Sequence, residues 1–223
     1  MKNKNFIDAI IKYLVKINKR PLIIGIDGGT SSGKTYFFKK ILKELNKLSV
    51  DYYAFEIDDY SIDREKRVYP NKKYFNMKEW YDINLIAKHI KKIRIGKCAL
   101  LMNTYNHSTG KKGKKKKIYF NGRQIVFLNG IYALDKRIRK YLDLGILLES
   151  TPEVRLKREI YRNVNKRYQN RNFVIERFKE AEEPTYQKHY KEIKKYVDII
   201  IDNNNWRNPR ITQLKKLGKS KTK

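Results

Sequence analysis

Residues 22–35 read LIIGIDGGTSSGKT, and this stretch decides the fold. Its first half is a nearly continuous apolar run, which is typical of a buried parallel strand. Its second half, Gly28 to Thr35, matches the pattern GxxxxGK followed by Ser or Thr, and residues 36–48 continue with apolar side chains on helical spacing. A strand, a glycine loop and a helix in this order predict a βαβ unit whose loop binds phosphate groups. The alternative is a glycine-rich turn without a ligand.

The loop residues have distinct chemical roles in this prediction. The glycines let the backbone curl so that successive N–H groups face phosphate oxygens at the positive end of the following helix. Lys34 supplies a mobile cation, and Thr35 supplies a hydroxyl where such loops ligate Mg²⁺. We therefore expect ATP with Mg²⁺ to be bound by Gly28, Gly29, Thr30, Ser31, Ser32, Gly33, Lys34 and Thr35. The loop alone does not distinguish a kinase from a GTPase, an ATPase or a motor.

Length and composition indicate one α/β domain. The 223 residues, of which 40 % are hydrophobic, are sufficient to bury a core. No apolar run approaches the roughly 18 residues of a membrane span, and the N-terminus lacks a secretory signal, so we expect a cytoplasmic protein without a membrane partner. The single cysteine, Cys98, cannot form a disulfide within the chain.

The formal net charge of +30 would suggest a polyanionic partner such as nucleic acid. However, Lys, Ile, Asn and Tyr are all abundant, and these four residue types share A/T-rich codons, so genome composition can account for much of the charge. Nucleic-acid binding is therefore an open alternative that we do not favour. Its main local candidate is the run KKGKKKK at 111–117, which is predicted to be the exposed tip of a β-hairpin.

The remaining segments continue an α/β pattern. Strands are predicted at 50–57, 99–105, 118–120, 124–128, 144–148 and 197–201, and helices at 6–19, 78–92 and from Thr151, which is expected to cap its helix with Pro152 at the first position. We predict a three-layer α/β/α fold with a parallel sheet at 21–205, an amphipathic helix within 1–20, a hairpin insertion at about 99–122 and a basic, flexible tail at 206–223.

A pair of carboxylates follows the second predicted strand. Residues 53–57 lead into Asp58, Asp59 and Tyr60, which should lie at the same carboxyl edge of the sheet as the glycine loop. A carboxylate at this edge can accept the proton of an acceptor hydroxyl and help to hold Mg²⁺. The alternative is a solvated strand end or a helix N-cap.

With these residues in place, the sequence resembles the uridine kinase and phosphoribulokinase family of P-loop kinases over most of residues 21–203. Its anchors are the glycine loop, Asp58-Asp59-Tyr60, Tyr74-Phe75-Asn76, Tyr81-Asp82, Tyr105-Asn106, Phe127-Leu128-Asn129-Gly130-Ile131 and Tyr196-Val197-Asp198-Ile199-Ile200. The resemblance implies a P-loop fold and an ATP-dependent kinase that phosphorylates a hydroxyl, first of all the 5′-hydroxyl of uridine or cytidine in nucleoside salvage. The alternatives are a phosphorylated sugar, another nucleoside or a vitamin precursor as acceptor. Relatives include tetramers, so a homo-oligomer is an open alternative to a monomer.

The resemblance also implies roles for individual residues. Asp58 would be the general base and, with Thr35 and Asn129, would contribute to the metal site. The acceptor site would contain Tyr60, Asn76 and Tyr105, with His107 close to it. An arginine-rich lid helix at about 155–172 would close over the phosphates through Arg158, Arg162 and Arg167. These arginines are spaced to fall near one helix face, where several guanidinium groups can neutralise a transferring phosphoryl group. The alternative is a solvated basic face.

Several positions depart from the family pattern. Asn129 stands where the family has a glutamate that supports Mg²⁺, so metal affinity should fall unless another acid, such as Asp27 or Asp59, compensates. Asn76 replaces an aspartate, while Glu159 and Gln169 replace lid arginines. All these departures lie on the acceptor or metal side, and they leave open a protein that binds ATP but has lost turnover.

Overall fold

Eight strands and seven α-helices are found in the computed structural model, which describes residues 3–66, 77–106 and 108–215. The strands are β1 (Leu22–Asp27), β2 (Tyr52–Glu56), β3 (Cys98–Asn106), β4 (Lys111–Phe120), β5 (Ile125–Asn129), β6 (Leu144–Glu149), β7 (Ile199–Asp202) and β8 (Arg210–Leu214). The helices are α1 (Asn3–Lys16), α2 (Lys34–Lys47), α3 (Ile83–Ile95), α4 (Lys136–Arg139), α5 (Pro152–Arg167), α6 (Arg171–Arg177) and α7 (Glu183–Ile193). A π-helical turn, Phe178–Glu182, joins α6 to α7.

The central sheet has the strand order β2-β5-β1-β6-β7-β8. Its first five strands are parallel, and β8 is antiparallel to β7. Because parallel strands carry their carboxyl ends to one edge, the residues that end β1, β2 and β5 meet there. In the register of the sheet, Asn129 on β5 stands opposite Ile26 on β1 and opposite Glu56 on β2.

Apolar side chains project from both faces of the sheet, as expected from the continuous hydrophobic run in β1. Ile24 and Ile26 face the cluster that contains α1 and α2, whereas Ile23 faces the cluster that contains α3. All six residues of β1 are buried. The predicted α/β fold with a mainly parallel sheet and helices is thus confirmed, and none of the described helices is long and apolar enough to cross a membrane.

The hairpin of β3 and β4 differs from its prediction. The lysine run 111–117 belongs to strand β4 and does not form the tip, because its backbone pairs with β3 while its side chains point into solvent. The chain reverses before it, where the Gly110 N–H donates to the Asn106 carbonyl at 2.8 Å and Gly110 has a φ of +74°. In water at physiological salt, charges more than about 8 Å apart are largely screened, so an exposed strand tolerates these lysines.

Two further boundaries were predicted wrongly. Residues Arg210–Leu214 of the predicted flexible tail form β8, since the open edge of β7 offers backbone groups for pairing; residues 216–223 of that tail lie outside the described residues. Helix α3 begins at Ile83 instead of residue 78, because the Asp82 carboxylate caps it by accepting the Leu85 N–H at 2.9 Å. The predicted start of α5 is confirmed: Thr151 caps it and Pro152 is its first residue.

Candidate active site

The glycine loop connects the buried strand β1 to the first turn of α2. Gly28 and Gly33 have φ angles of +153° and +96°, and Ser31 has a φ of +57°, so the backbone curls as the sequence predicts. The N-cap of α2 is Gly33, and no side chain caps the helix there. The start of α2 therefore directs N–H groups and the positive end of the helix dipole to the loop, where they suit an anion.

Lys34 points back into the curve of this loop. Its ammonium donates to the Gly28 and Gly29 carbonyls at 2.6 and 2.9 Å. Burial lowers the pKa of the Lys34 ammonium to about 8, although the Asp27 and Asp58 carboxylates act in the opposite direction. A phosphate group in the loop would raise this pKa again, because an anion at contact distance favours the ammonium.

A buried support beneath the loop was missed by sequence reasoning. Asp27, the last residue of β1, is fully buried and accepts the Gly28 N–H at 2.6 Å and the Leu134 N–H at 2.9 Å. His189 on α7 places Nε2 2.9 Å from Oδ2 of Asp27. Both oxygens of Asp27 are thus used to hold the backbone, which places this residue below the loop and not in the cleft above it.

The acceptor side of the cleft begins where β2 ends. Asp58 lies in the 3₁₀ turn Ile57–Tyr60 and lines the same cleft as Lys34 and Thr35. Its neighbour Asp59 accepts the Tyr105 N–H at 3.1 Å, which ties the hairpin to this turn. Tyr105 also lines the cleft. The structure therefore brings together Asp58, Tyr105 and the loop, as predicted.

Other predicted acceptor residues are placed differently. Tyr60 is buried, and its hydroxyl lies 3.0 Å from Nδ1 of His89, so the structure does not bring it to the cleft. The physical reason is that an aromatic ring with a satisfied hydroxyl is stable in the core, while the adjacent Ser61 lines the cleft instead. Asn76 and His107 lie outside the described residues.

The three predicted lid arginines all line the cleft. Arg158 donates to the carbonyls of Asn203 and Asn204 at 2.7 and 3.0 Å, whereas Arg162 pairs with Glu159 at 2.6 Å. Arg167 donates to the side chain of Asn163 at 3.3 Å. The three arginines of α5 thus line the same cleft as the glycine loop, and the hydrogen bonds described here hold them to other protein groups.

Glu159, in the middle of α5, touches the phosphate loop directly. It is 1 % exposed and accepts hydrogen bonds from the Ser31 hydroxyl at 2.5 Å and from Arg177 at 3.1 Å, in addition to its pair with Arg162. Burial alone would raise the pKa of its carboxyl, but Arg162, the Ser31 hydrogen bond and Arg177 hold that pKa below its usual value. A carboxylate therefore lies beside a loop built for anions, although the sequence showed only that an arginine was missing here.

Glu56 is a second acid that sequence reasoning missed. Its Oε2 accepts a hydrogen bond from Nδ2 of Asn129 at 2.8 Å. Burial raises the pKa of the Glu56 carboxyl to about 7; the hydrogen bond from Asn129 opposes this rise, and the Asp58 and Asp59 carboxylates add to it. The position of Glu56 at the carboxyl end of β2 was the available signal, because the departure at Asn129 called for an acid nearby.

Side chains that carry oxygen atoms suited to Mg²⁺ line the same cleft. Thr35, Asp58 and Asn129 all line it, and they offer a hydroxyl, a carboxylate and an amide, the kinds of ligand that Mg²⁺ takes from proteins alongside phosphates. Within the described residues, Oδ1 of Asn129 is buried and has no hydrogen-bond partner, so an acceptor remains for a further ligand. No cluster of three or more His, Cys, Asp and Glu side chains with metal-binding geometry occurs in that part of the chain. The donor set fits a cation shared with nucleotide phosphates.

These features define a class of protein. A backbone loop and cationic side chains suit the phosphates of ATP, and a carboxylate across the cleft suits an acceptor hydroxyl. The chain is a P-loop kinase, an ATP-dependent phosphotransferase that acts on a hydroxyl.

Comparison with known proteins supports this class and names the family. The pattern of the Phosphoribulokinase / Uridine kinase family matches residues 23–208. Uridine kinase of Macrococcus caseolyticus is 31 % identical over 80 % of this chain and 86 % of its own length. Uridine kinase of Halalkalibacterium halodurans is 26 % identical over 83 % and 87 %.

Solved structures show the same fold. A possible uridine kinase from Bacillus stearothermophilus matches with a TM-score of 0.67 at 18 % identity, over 88 % of this chain and 97 % of that one. Phosphoribulokinase from Rhodobacter spheroides matches with a TM-score of 0.57 at 16 % identity, over 81 % and 69 %. This chain belongs to the phosphoribulokinase and uridine kinase family, which confirms the predicted resemblance.

Proposed function

We propose that the protein transfers the γ-phosphoryl group of ATP to the 5′-hydroxyl of uridine or cytidine, with Mg²⁺, as part of nucleoside salvage in the cytoplasm. The observation that supports this proposal is that Asp58 and Tyr105 line the same cleft as Lys34 and Thr35 of the phosphate loop. The names of the curated relatives supply the acceptor class. Assembly into a homo-oligomer stays a prediction.

The protein groups would share the chemistry as follows. The loop N–H groups and Lys34 would bind the phosphates, and Arg158, Arg162 and Arg167 would neutralise charge that develops on the transferring group. Asp58 would accept the proton of the acceptor hydroxyl, a contribution typically worth roughly 10²–10⁴-fold. Mg²⁺, held by Thr35, Asp58 and Asn129, would supply charge neutralisation on the phosphates.

The lining of the acceptor side favours a nucleoside. Trp80, Tyr81 and Tyr105 offer aromatic surface that suits a planar base. Charge does not distinguish the acceptors, because Glu176 and Glu180 line the same cleft as Arg64 and Arg177, so the aromatic surface is what favours a nucleoside. A phosphorylated sugar, a different nucleoside or a vitamin precursor therefore stays an alternative with less support.

The experiment is a panel of acceptors with purified protein, ATP and Mg²⁺, in which ADP formation is measured. Uridine, cytidine, other nucleosides, phosphorylated sugars and vitamin precursors are compared, with single-stranded RNA and DNA in parallel. We expect turnover with uridine or cytidine, and no turnover in Lys34→Ala, which controls for contaminating kinases. Turnover only with another acceptor, or only with nucleic acid, would refute the proposed acceptor, and ATP binding without any turnover would identify a protein that has lost catalysis.

A further inference from the structure

Glu56 lies at the active site but has no role in the chemistry described so far. It ends β2 directly opposite Asn129 at the end of β5, and both side chains line the cleft beside Thr35 and Asp58. Nδ2 of Asn129 donates to Glu56 at 2.8 Å. This orientation of the amide is the one that chemistry requires, since a carboxylate accepts an N–H but repels a carbonyl oxygen. The amide oxygen is consequently directed away from Glu56.

The amide oxygen of Asn129 needs a partner. Asn129 is 2 % exposed, and its Oδ1 makes no hydrogen bond to any described residue. A buried acceptor without a partner is destabilising, so such an atom at the edge of a cleft indicates a ligand that completes it. A hard cation is one such ligand, and it would also benefit from the adjacent carboxylate.

Two other nearby carboxylates are already used by the backbone. Asp27 accepts the N–H groups of Gly28 and Leu134 beneath the loop. Asp59 accepts the N–H of Tyr105 on the hairpin. Glu56, by contrast, is held by the amide of Asn129, on the cleft side of the sheet edge.

We propose that Glu56 and Asn129 act as one unit that binds a divalent cation, in which Glu56 supplies the negative charge and Asn129 supplies a neutral oxygen. The unit places the acid on β2 and the amide on β5. This edge of the sheet therefore carries a negative charge although β5 itself ends in a neutral residue. This inference rests on the proposed function, because the cation would be the one that accompanies the nucleotide. Glu56 is a positioning residue for that cation and does not touch the acceptor.

The test measures metal binding directly and needs no acceptor. Protein saturated with the ATP analogue AMP-PNP is titrated with Mn²⁺, and free Mn²⁺ is followed by electron paramagnetic resonance. We expect Glu56→Gln to weaken Mn²⁺ binding by about 10- to 100-fold, a range typical for loss of a group that supports a metal. Affinity for AMP-PNP in EDTA, measured by calorimetry, should stay within about twofold because the loop is unchanged. Unaltered Mn²⁺ affinity in Glu56→Gln would overturn the proposal.

Two further variants serve as a matched control and as a test of the exchanged pair. Glu44→Gln makes the same chemical change on α2, where Glu44 pairs with Lys47 away from the cleft, and it should leave Mn²⁺ affinity unchanged. The exchange variant Glu56→Asn with Asn129→Glu keeps the net charge and the hydrogen bond, so it should bind Mn²⁺ within a few fold of the parent. Failure of the exchange variant to do so, with AMP-PNP affinity in EDTA intact, would also overturn the proposal. Absence of uridine turnover would count against the proposed function only, since neither measurement involves an acceptor.

Discussion

The two sides of the cleft are built by different means. The phosphate side is one continuous segment, Gly28 to Thr35, whose backbone makes most of the site. The acceptor side combines side chains from the ends of β2 and β5 and from the hairpin. A backbone site needs only glycines and a helix start, whereas a side-chain site needs several distant segments to converge. The comparison teaches that a contiguous backbone site can be recognised from a short stretch of sequence, whereas a side-chain site depends on how the whole chain folds.

The largest expected effect comes from a variant that alters a carboxylate on the acceptor side and leaves the phosphate side unchanged. Asp58→Asn removes the proposed base but leaves the phosphate loop untouched, so turnover should fall by roughly 10²–10⁴-fold, while ATP affinity in EDTA, where no metal contributes, stays within about threefold. The measurements are initial rates at saturating ATP and uridine, and calorimetric titration with ATP. A turnover close to that of the parent would show that Asp58 is not the base.

The neighbouring carboxylate provides the matched control for this variant. Asp59 accepts the N–H of Tyr105 and thus positions the hairpin. We expect Asp59→Asn to raise KM for the acceptor by several fold with little change in kcat, because it affects how the acceptor is held and not the proton transfer. If both variants lowered kcat equally, the two carboxylates would act as one unit.

The contrast between the two sides also explains what the sequence could predict. The strand, loop and helix at 22–48 are contiguous, and local patterns sufficed for them. The contacts that it could not predict join residues far apart: Glu56 and Asn129 are 73 positions apart, Ser31 and Glu159 are 128 apart, and Asp27 and His189 are 162 apart. Their partners are set by the order of strands in the sheet and by the positions of α5 and α7, which no local pattern encodes. The position of β8 at the edge of the sheet has the same origin.

A further prediction concerns Glu159, where α5 contacts the phosphate side. Glu159→Gln should strengthen ATP binding in EDTA by on the order of tenfold, because one carboxylate near the phosphate loop is removed and a repulsion of 1–2 kcal/mol is a reasonable magnitude for such a pair. The free energy of unfolding should fall in the same variant. Arg162 and Arg177 lose their buried partner, and since their side chains are 41 % and 25 % exposed, the cost should be about 1–3 kcal/mol.

Both effects of Glu159→Gln are measurable on the same sample. Calorimetric titration gives the ATP affinity, and thermal unfolding should show a Tm lower by about 2–4 °C for each kcal/mol lost. Glu44→Gln is the matched control and should change neither quantity. Weaker ATP binding in Glu159→Gln would mean that Glu159 serves chiefly to orient Ser31 and Arg162, and the phosphate side would then depend on side chains more than its backbone suggests.

The smallest expected effect tests whether the charged strand β4 belongs to the acceptor side at all. Lys114, Lys115 and Lys116 are exposed, and at physiological salt charges beyond about 8 Å are largely screened from the cleft. Changing all three to Gln should therefore leave turnover with a nucleoside within about twofold.

If nucleic acid were the partner instead, the same change would weaken its binding and reduce the slope of log affinity against log salt by about two to three. The slope falls because fewer counterions are released on binding when three phosphate contacts are lost. A tenfold loss of nucleoside turnover would contradict the prediction and extend the acceptor site onto β4, whereas unchanged turnover would leave the charge of this strand outside the reaction.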